Sequence, residues 1–165
     1  LIICIAVTAV AEITDYYDGW LARKYGKVTA FGKFYDPLCD AILHMSIFIC
    51  LIKFGLSDVV VALMVARELT IYFIRENLAL QGIELGARKS GKLKTVFYII
   101  AEFIFMLYLL IVSLSGASSP LAVWAWDLVW SSIFVAFCFM LYSWCDYVLY
   151  FKLESLRHES QTGTS

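Results

Sequence analysis

Four aspartates, Asp15, Asp18, Asp36 and Asp40, lie in the stretch DYYDGWLARKYGKVTAFGKFYDPLCD, between long apolar runs. A charge there is expensive unless it has a partner. Asp15 and Asp18 are three residues apart, and Asp36 and Asp40 are four apart. On helices both spacings put the carboxylates on one face, one turn apart. The helical rise separates Asp36 from Asp40 by roughly 6 Å along the axis. Two such pairs on neighbouring helices can face each other across a cleft. All-oxygen donors suit Mg²⁺ or Mn²⁺ better than Zn²⁺. A pair of cations about 3.5–4 Å apart can clamp both sides of a phosphoryl displacement.

The small residues nearby fit that chemistry. Gly19, next to Asp18, lets a ligand approach the backbone. Ala22 follows on nearly the same face, and Arg23 offers a planar fork suited to phosphate oxygens. Gly32 opens space at the start of the next helix. Pro37 is accommodated if it lies in that helix's first turn. The bland alternative is a set of solvated acids balancing nearby bases. The fixed offsets of the glycines and the arginine weigh against it.

The elements that must position these residues are membrane helices. The chain has 165 residues, 62% of them hydrophobic, with mean hydropathy +0.80. Soluble domains are nearer 45–50% apolar. Apolar runs long enough to cross a bilayer recur, and in lipid the backbone must be paired within each segment. The expected fold class is all-α, a polytopic transmembrane bundle. Five spans are expected, from the start to about residue 14 and over about 38–54, 58–74, 95–114 and 127–150. The chain begins inside an apolar run without Met, so it reads as a fragment with at least one helix upstream. The expected division is a membrane domain over 1–151 and a polar, frayed tail over 152–165.

A net charge of −1 gives no case for nucleic acid. The positions of the charges are informative instead. Arg23, Lys24, Lys27 and Lys33 lie between spans one and two. Arg75, Arg88, Lys89, Lys92 and Lys94 lie between spans three and four, and Lys152 and Arg157 follow span five. The opposite loops hold only Lys53. The positive-inside rule puts the basic loops, and the aspartates with them, on the cytoplasmic side. Trp124, Trp126 and Trp130 then suit an aromatic belt at the outer interface. The five cysteines form no CxxC pair and read as small, reduced packing residues.

Residues 15–40 match D-x2-D-G-x2-A-R-x8-G-x3-D-x3-D at every fixed position. The chain thereby resembles the CDP-alcohol phosphatidyltransferase family. The resemblance implies a six-helix bundle in the full chain, with five helices here, and homodimers are common among its members. It implies a CDP-linked lipid donor, usually CDP-diacylglycerol, whose β-phosphorus is attacked by an acceptor hydroxyl as CMP leaves. By that resemblance Asp15, Asp18, Asp36 and Asp40 hold two Mg²⁺ or Mn²⁺ ions, and Asp40 also acts as the general base. Gly19, Ala22, Arg23 and Gly32 look like the CDP-binding set.

The second basic region bears on the acceptor. Arg67 lies beside Glu68 inside an apolar run, which disfavours mere anchoring to anionic lipid. A phosphorylated acceptor needs an anion site near the metals, and Arg67, Arg75, Lys92 and Lys94 are the candidates. The stretches FGKF-DP, ARE with a later Arg, and GKxKT are similar to the branch that uses glycerol 3-phosphate, the phosphatidylglycerophosphate synthases. The chain departs from that branch with Tyr98 where Gln is common and with Cys39 before Asp40. Other acceptors consistent with the same chemistry are inositol phosphate, phosphatidylglycerol or another alcohol. His44 shares the Asp36–Asp40 stripe as a potential outer partner of the metal site, and Glu12 precedes Asp15 by one turn. Glu102, Asp127 and Asp146 read as helix-pairing groups or interface residues. A carboxylate-based cation transporter is the alternative from another class, but its acids would be spread through the membrane depth. An inactive assembly partner fits poorly with an intact motif.

Overall fold

In a computed structural model of the chain, residues 2–25, 30–80, 82–83 and 88–162 are described, with 4, 16, 22, 23, 30–34 and 158–162 described by backbone alone. Five helices follow one another: α1 (Ile2–Lys24), α2 (Ala30–Leu51), α3 (Asp58–Leu80), α4 (Lys89–Ser115) and α5 (Pro120–Thr162). A 3-10 turn over Ile52–Phe54 extends α2.

The sequence sets most of the helix ends. After the 3-10 turn, Gly55 adopts φ 99°, a left-handed conformation that costs glycine little. Its N–H and that of Leu56 donate back to the carbonyls of Ile52 and Leu51, closing a Schellman motif. Gly82 ends α3 in the same manner. Ser119 starts α5, its hydroxyl accepting the Ala122 N–H at 3.2 Å. Pro120 occupies the first helical position, where its missing N–H does no harm.

Three segments are long and apolar enough to cross a membrane: Tyr35–Phe54, Lys89–Ser115 and Pro120–Arg157. By contrast, α1 carries Glu12, Asp15, Asp18, Arg23 and Lys24, and α3 carries Asp58, Arg67, Glu68, Arg75 and Glu76. Among the described residues, those charges keep both helices from meeting the same measure, so three of the five expected spans meet it. The helices are also longer than the apolar runs. Because α2 begins at Ala30, Pro37 falls inside the helix and not in its first turn. There it removes one intrahelical hydrogen bond beside Asp36. The tail expected to fray is helical as far as Thr162.

The core lies where α4 packs along α5 and both meet α2 and α3. Phe48, Met64, Tyr98, Phe105, Ala136 and Met140 are buried there. A smaller cluster of Ile71, Ile74, Leu78 and Tyr147 joins α3 to α5. The outward faces carry exposed Ile42, Phe73, Leu107 and Phe134, as expected where lipid is the neighbour. Trp124 is exposed, whereas Trp126 packs against Tyr108 at a tilt and meets Trp130 edge-on. Two of the three belt tryptophans therefore also pack within the bundle.

Candidate active site

Asp15 and Asp18 are exposed on α1, and Asp36 is exposed on α2. Asp40, one turn further along α2, is half-buried. The charges of Asp15, Glu12 and Asp36 all act on Asp40, so acids from α1 and α2 share one electrostatic neighbourhood. Gly19 is half-buried. The side chains of Ala22 and Arg23 and the surroundings of Gly32 lie outside the described residues.

A cavity of about 330 Å³ opens beside Asp40. From α2 it is lined by Pro37, Asp40 and His44, and from α3 by Arg67, Glu68 and Arg75. Lys92 and Lys94 of α4 and Tyr147 of α5 complete it. One cavity thus gathers Asp40 and all four acceptor-phosphate candidates.

Those four cations are held differently. Lys94 is buried, and its Nζ donates to Glu68 Oε1 at 2.7 Å. Arg67 is 3% exposed, with Nη1 donating to Glu68 Oε2 at 2.9 Å and Nη2 to Ser143 Oγ at 2.7 Å. Glu68 therefore engages both, and its single charge offsets one of the two. Arg75 donates through Nη2 to the neutral Tyr147 hydroxyl at 3.2 Å, which leaves its positive charge uncompensated by that bond. Lys92 is exposed on the cavity wall. The Nε atoms of Arg67 and Arg75 are buried without an acceptor.

Tyr147 and the start of α4 fix this arrangement. The Tyr147 hydroxyl also accepts the Arg88 N–H at 3.3 Å. Arg88 grips Asp146 with two hydrogen bonds of 2.7 Å, and Ser90 donates to the same carboxylate. The Asp146 carboxylate holds the Arg88 guanidinium above its ordinary pKa. Asp146 thus pairs elements, as its position in the sequence suggests. Nothing in the sequence marks Tyr147 or Ser143, because neither belongs to a motif.

Glu12, His44 and Glu102 form a candidate metal-binding cluster. One donor atom from each lies within 4.8 Å of the others. His44 Nδ1 is 3.0 Å from both carboxylate oxygens of Glu102. The cluster sits one turn along from Asp15 on α1 and from Asp40 on α2. The sequence places His44 and Glu12 near the aspartates. It gives no indication that Glu102 joins them from α4.

The family model for CDP-alcohol phosphatidyltransferases matches residues 1–138. Three curated relatives, from Rickettsia typhi, Treponema pallidum and Bacillus subtilis, are each described as CDP-diacylglycerol–glycerol-3-phosphate 3-phosphatidyltransferase. The Rickettsia protein is 40% identical over 98 residues, covering 59% of this chain and 55% of its own. The Treponema protein is 38% identical over 86 residues, covering 52% and 40% respectively. The Bacillus protein is 38% identical over 117 residues, covering 70% and 61%. The chain thus spans about half the length of the curated relatives it matches.

Proposed function

The chain belongs to the CDP-alcohol phosphatidyltransferase family, and from that premise we propose that it makes a phospholipid by moving the phosphatidyl group from CDP-diacylglycerol to glycerol 3-phosphate. The observation that carries the acceptor is the cavity itself. It joins Asp40 to the cations Arg67, Arg75, Lys92 and Lys94. An alcohol bearing a phosphate meets both needs: its phosphate can sit among the cations while its hydroxyl faces Asp40.

In the proposed reaction the hydroxyl oxygen forms a bond to the β-phosphorus, the bond from that phosphorus to the CMP oxygen breaks, and Asp40 takes the hydroxyl proton. Asp15, Glu12 and Asp36 act on Asp40 with negative charge and His44 acts in the opposite sense; an acidic neighbourhood of this kind would suit divalent cations. Asp15, Asp18, Asp36 and Asp40 are proposed to hold two Mg²⁺ or Mn²⁺ ions. Bound there, the ions would neutralise the pyrophosphate and stabilise the leaving CMP. Gly19, Ala22, Arg23 and Gly32 are assigned to the CDP moiety. Arg75 and Lys92 are the principal contacts for the acceptor phosphate, because Glu68 already engages Lys94 and Arg67. The basic residues around the site favour a cytoplasmic orientation.

The test is an acceptor screen with the purified full-length protein, CDP-diacylglycerol and Mg²⁺. CMP release is expected to be greatest with glycerol 3-phosphate. Greater release with inositol phosphate or phosphatidylglycerol would reassign the acceptor. Absence of release with every alcohol would end the transferase reading.

A further inference from the structure

We infer that Glu12, His44 and Glu102 bind a divalent transition-metal ion that ties α1, α2 and α4 together beneath the aspartates. This site is separate from the proposed catalytic pair of ions.

Three observations support it. First, the donors converge from three helices: one atom from each residue lies within 4.8 Å of the others. His44 and Glu102 are 3% and 1% exposed. His44 Nδ1 stands 3.0 Å from each Glu102 oxygen. Around a tetrahedral cation with ligand bonds near 2.0–2.2 Å, neighbouring donors stand about 3.3–3.6 Å apart, so a small opening of the His44–Glu102 contact would admit the ion. A contraction of the Glu12 arm would complete the ligand set.

Second, the charges do not balance. Glu12 and Glu102 both act on His44, and among the described residues the cation that also acts on it is Lys94, which is already bonded to Glu68. Two carboxylates in a bundle interior are costly without further positive charge. His44 now pairs with Glu102; a divalent ion would supply charge for both carboxylates, and its binding displaces the proton held between Nδ1 and Glu102.

Third, a polar atom beside the cluster lacks a partner. Tyr98 is fully buried and its hydroxyl has no hydrogen bond. It lies one turn before Glu102 on α4, and its ring meets His44 edge-on at 6.1 Å. A water bound to an ion in the cluster would satisfy it. One imidazole nitrogen with two carboxylates selects Zn²⁺ or Mn²⁺ over Mg²⁺ or Ca²⁺.

The test is metal content, not turnover. The full-length protein in detergent is loaded with Zn²⁺ in excess Mg²⁺, desalted, and its zinc measured by mass spectrometry. About one zinc per chain is expected for the wild type and for Asp40→Asn. Glu12→Gln, His44→Gln and Glu102→Gln are expected to fall to background while remaining monodisperse on gel filtration. Glu12 is half-buried, so its substitution keeps the test valid if a change at the buried pair prevents folding. A wild type that retains no zinc would overturn the inference. So would zinc that is lost with Asp40→Asn but kept with Glu12→Gln, which would put the ion on the aspartates. Neither readout depends on CMP release, so failure here and failure of the transferase reading are distinguishable.

Discussion

Lys94 Nζ donates to Glu68 Oε1 at 2.7 Å, with both residues buried between α3 and α4. That bond divides two lysines of one GKxKT stretch into different roles. Lys94 is held by the bundle, whereas Lys92 stands exposed on the wall of the same cavity.

Breaking the buried contact should cost stability. Lys94→Met leaves Glu68 with Arg67 as its remaining charged partner. Loss of one member of a buried pair costs about 3–5 kcal/mol, and the retained Arg67 contact puts the expected value near the lower end. Thermal unfolding in detergent measures it. The double variant with Glu68→Gln should recover part of the loss. An unchanged melting temperature for Lys94→Met alone would show that the contact contributes little.

Lys92→Ala should act on the acceptor and not on the donor. A hydrogen bond to a charged group contributes about 1.5–3 kcal/mol, so KM for glycerol 3-phosphate should rise by roughly tenfold or more. KM for CDP-diacylglycerol should stay within about twofold. Unchanged acceptor kinetics would put the acceptor's phosphate elsewhere.

Gly91 offers a subtler test. A Cβ there would stand 3.0 Å from the Tyr147 hydroxyl and 3.3 Å from its ring. Gly91→Ala must therefore displace the side chain that holds Arg75. Acceptor KM should rise several-fold, with a fall in melting temperature in keeping with a core strained by about 1–3 kcal/mol. Normal acceptor kinetics in a stably folded variant would separate Tyr147 from acceptor binding.

Removing a single carboxylate should raise the metal requirement. Asp18→Asn and Asp36→Asn are expected to raise the Mg²⁺ concentration for half-maximal activity by on the order of tenfold, comparable with the loss of other metal-site groups. Metal titration of initial rates reads this directly, and an unshifted midpoint would remove that residue from the ligand set.

Much of this was legible in the sequence, for a physical reason. Asp15, Asp18, Asp36 and Asp40 sit at local spacings, and helical periodicity converts such spacings into shared faces. Arg67 and Glu68 stood out because charge inside an apolar run demands a partner. The identity of each partner was not legible. His44 meets Glu102 and Arg67 meets Ser143 across long separations in sequence, and no local pattern encodes which helices adjoin. The helix ends lie beyond those expected because hydropathy marks the apolar run, whereas hydrogen bonding continues the helix past it. That is why Pro37 lies inside α2 and why α5 continues beyond Phe151.

The most direct measurement is CMP release from CDP-diacylglycerol and glycerol 3-phosphate in Mg²⁺, comparing the wild-type full-length protein with Asp40→Asn. Removing a general base typically costs about 10²–10⁴-fold in rate, so the variant should lose turnover by at least that factor while still binding the CDP-linked donor. Release at the wild-type rate by Asp40→Asn would contradict the assignment of Asp40 as the group that takes the acceptor's proton.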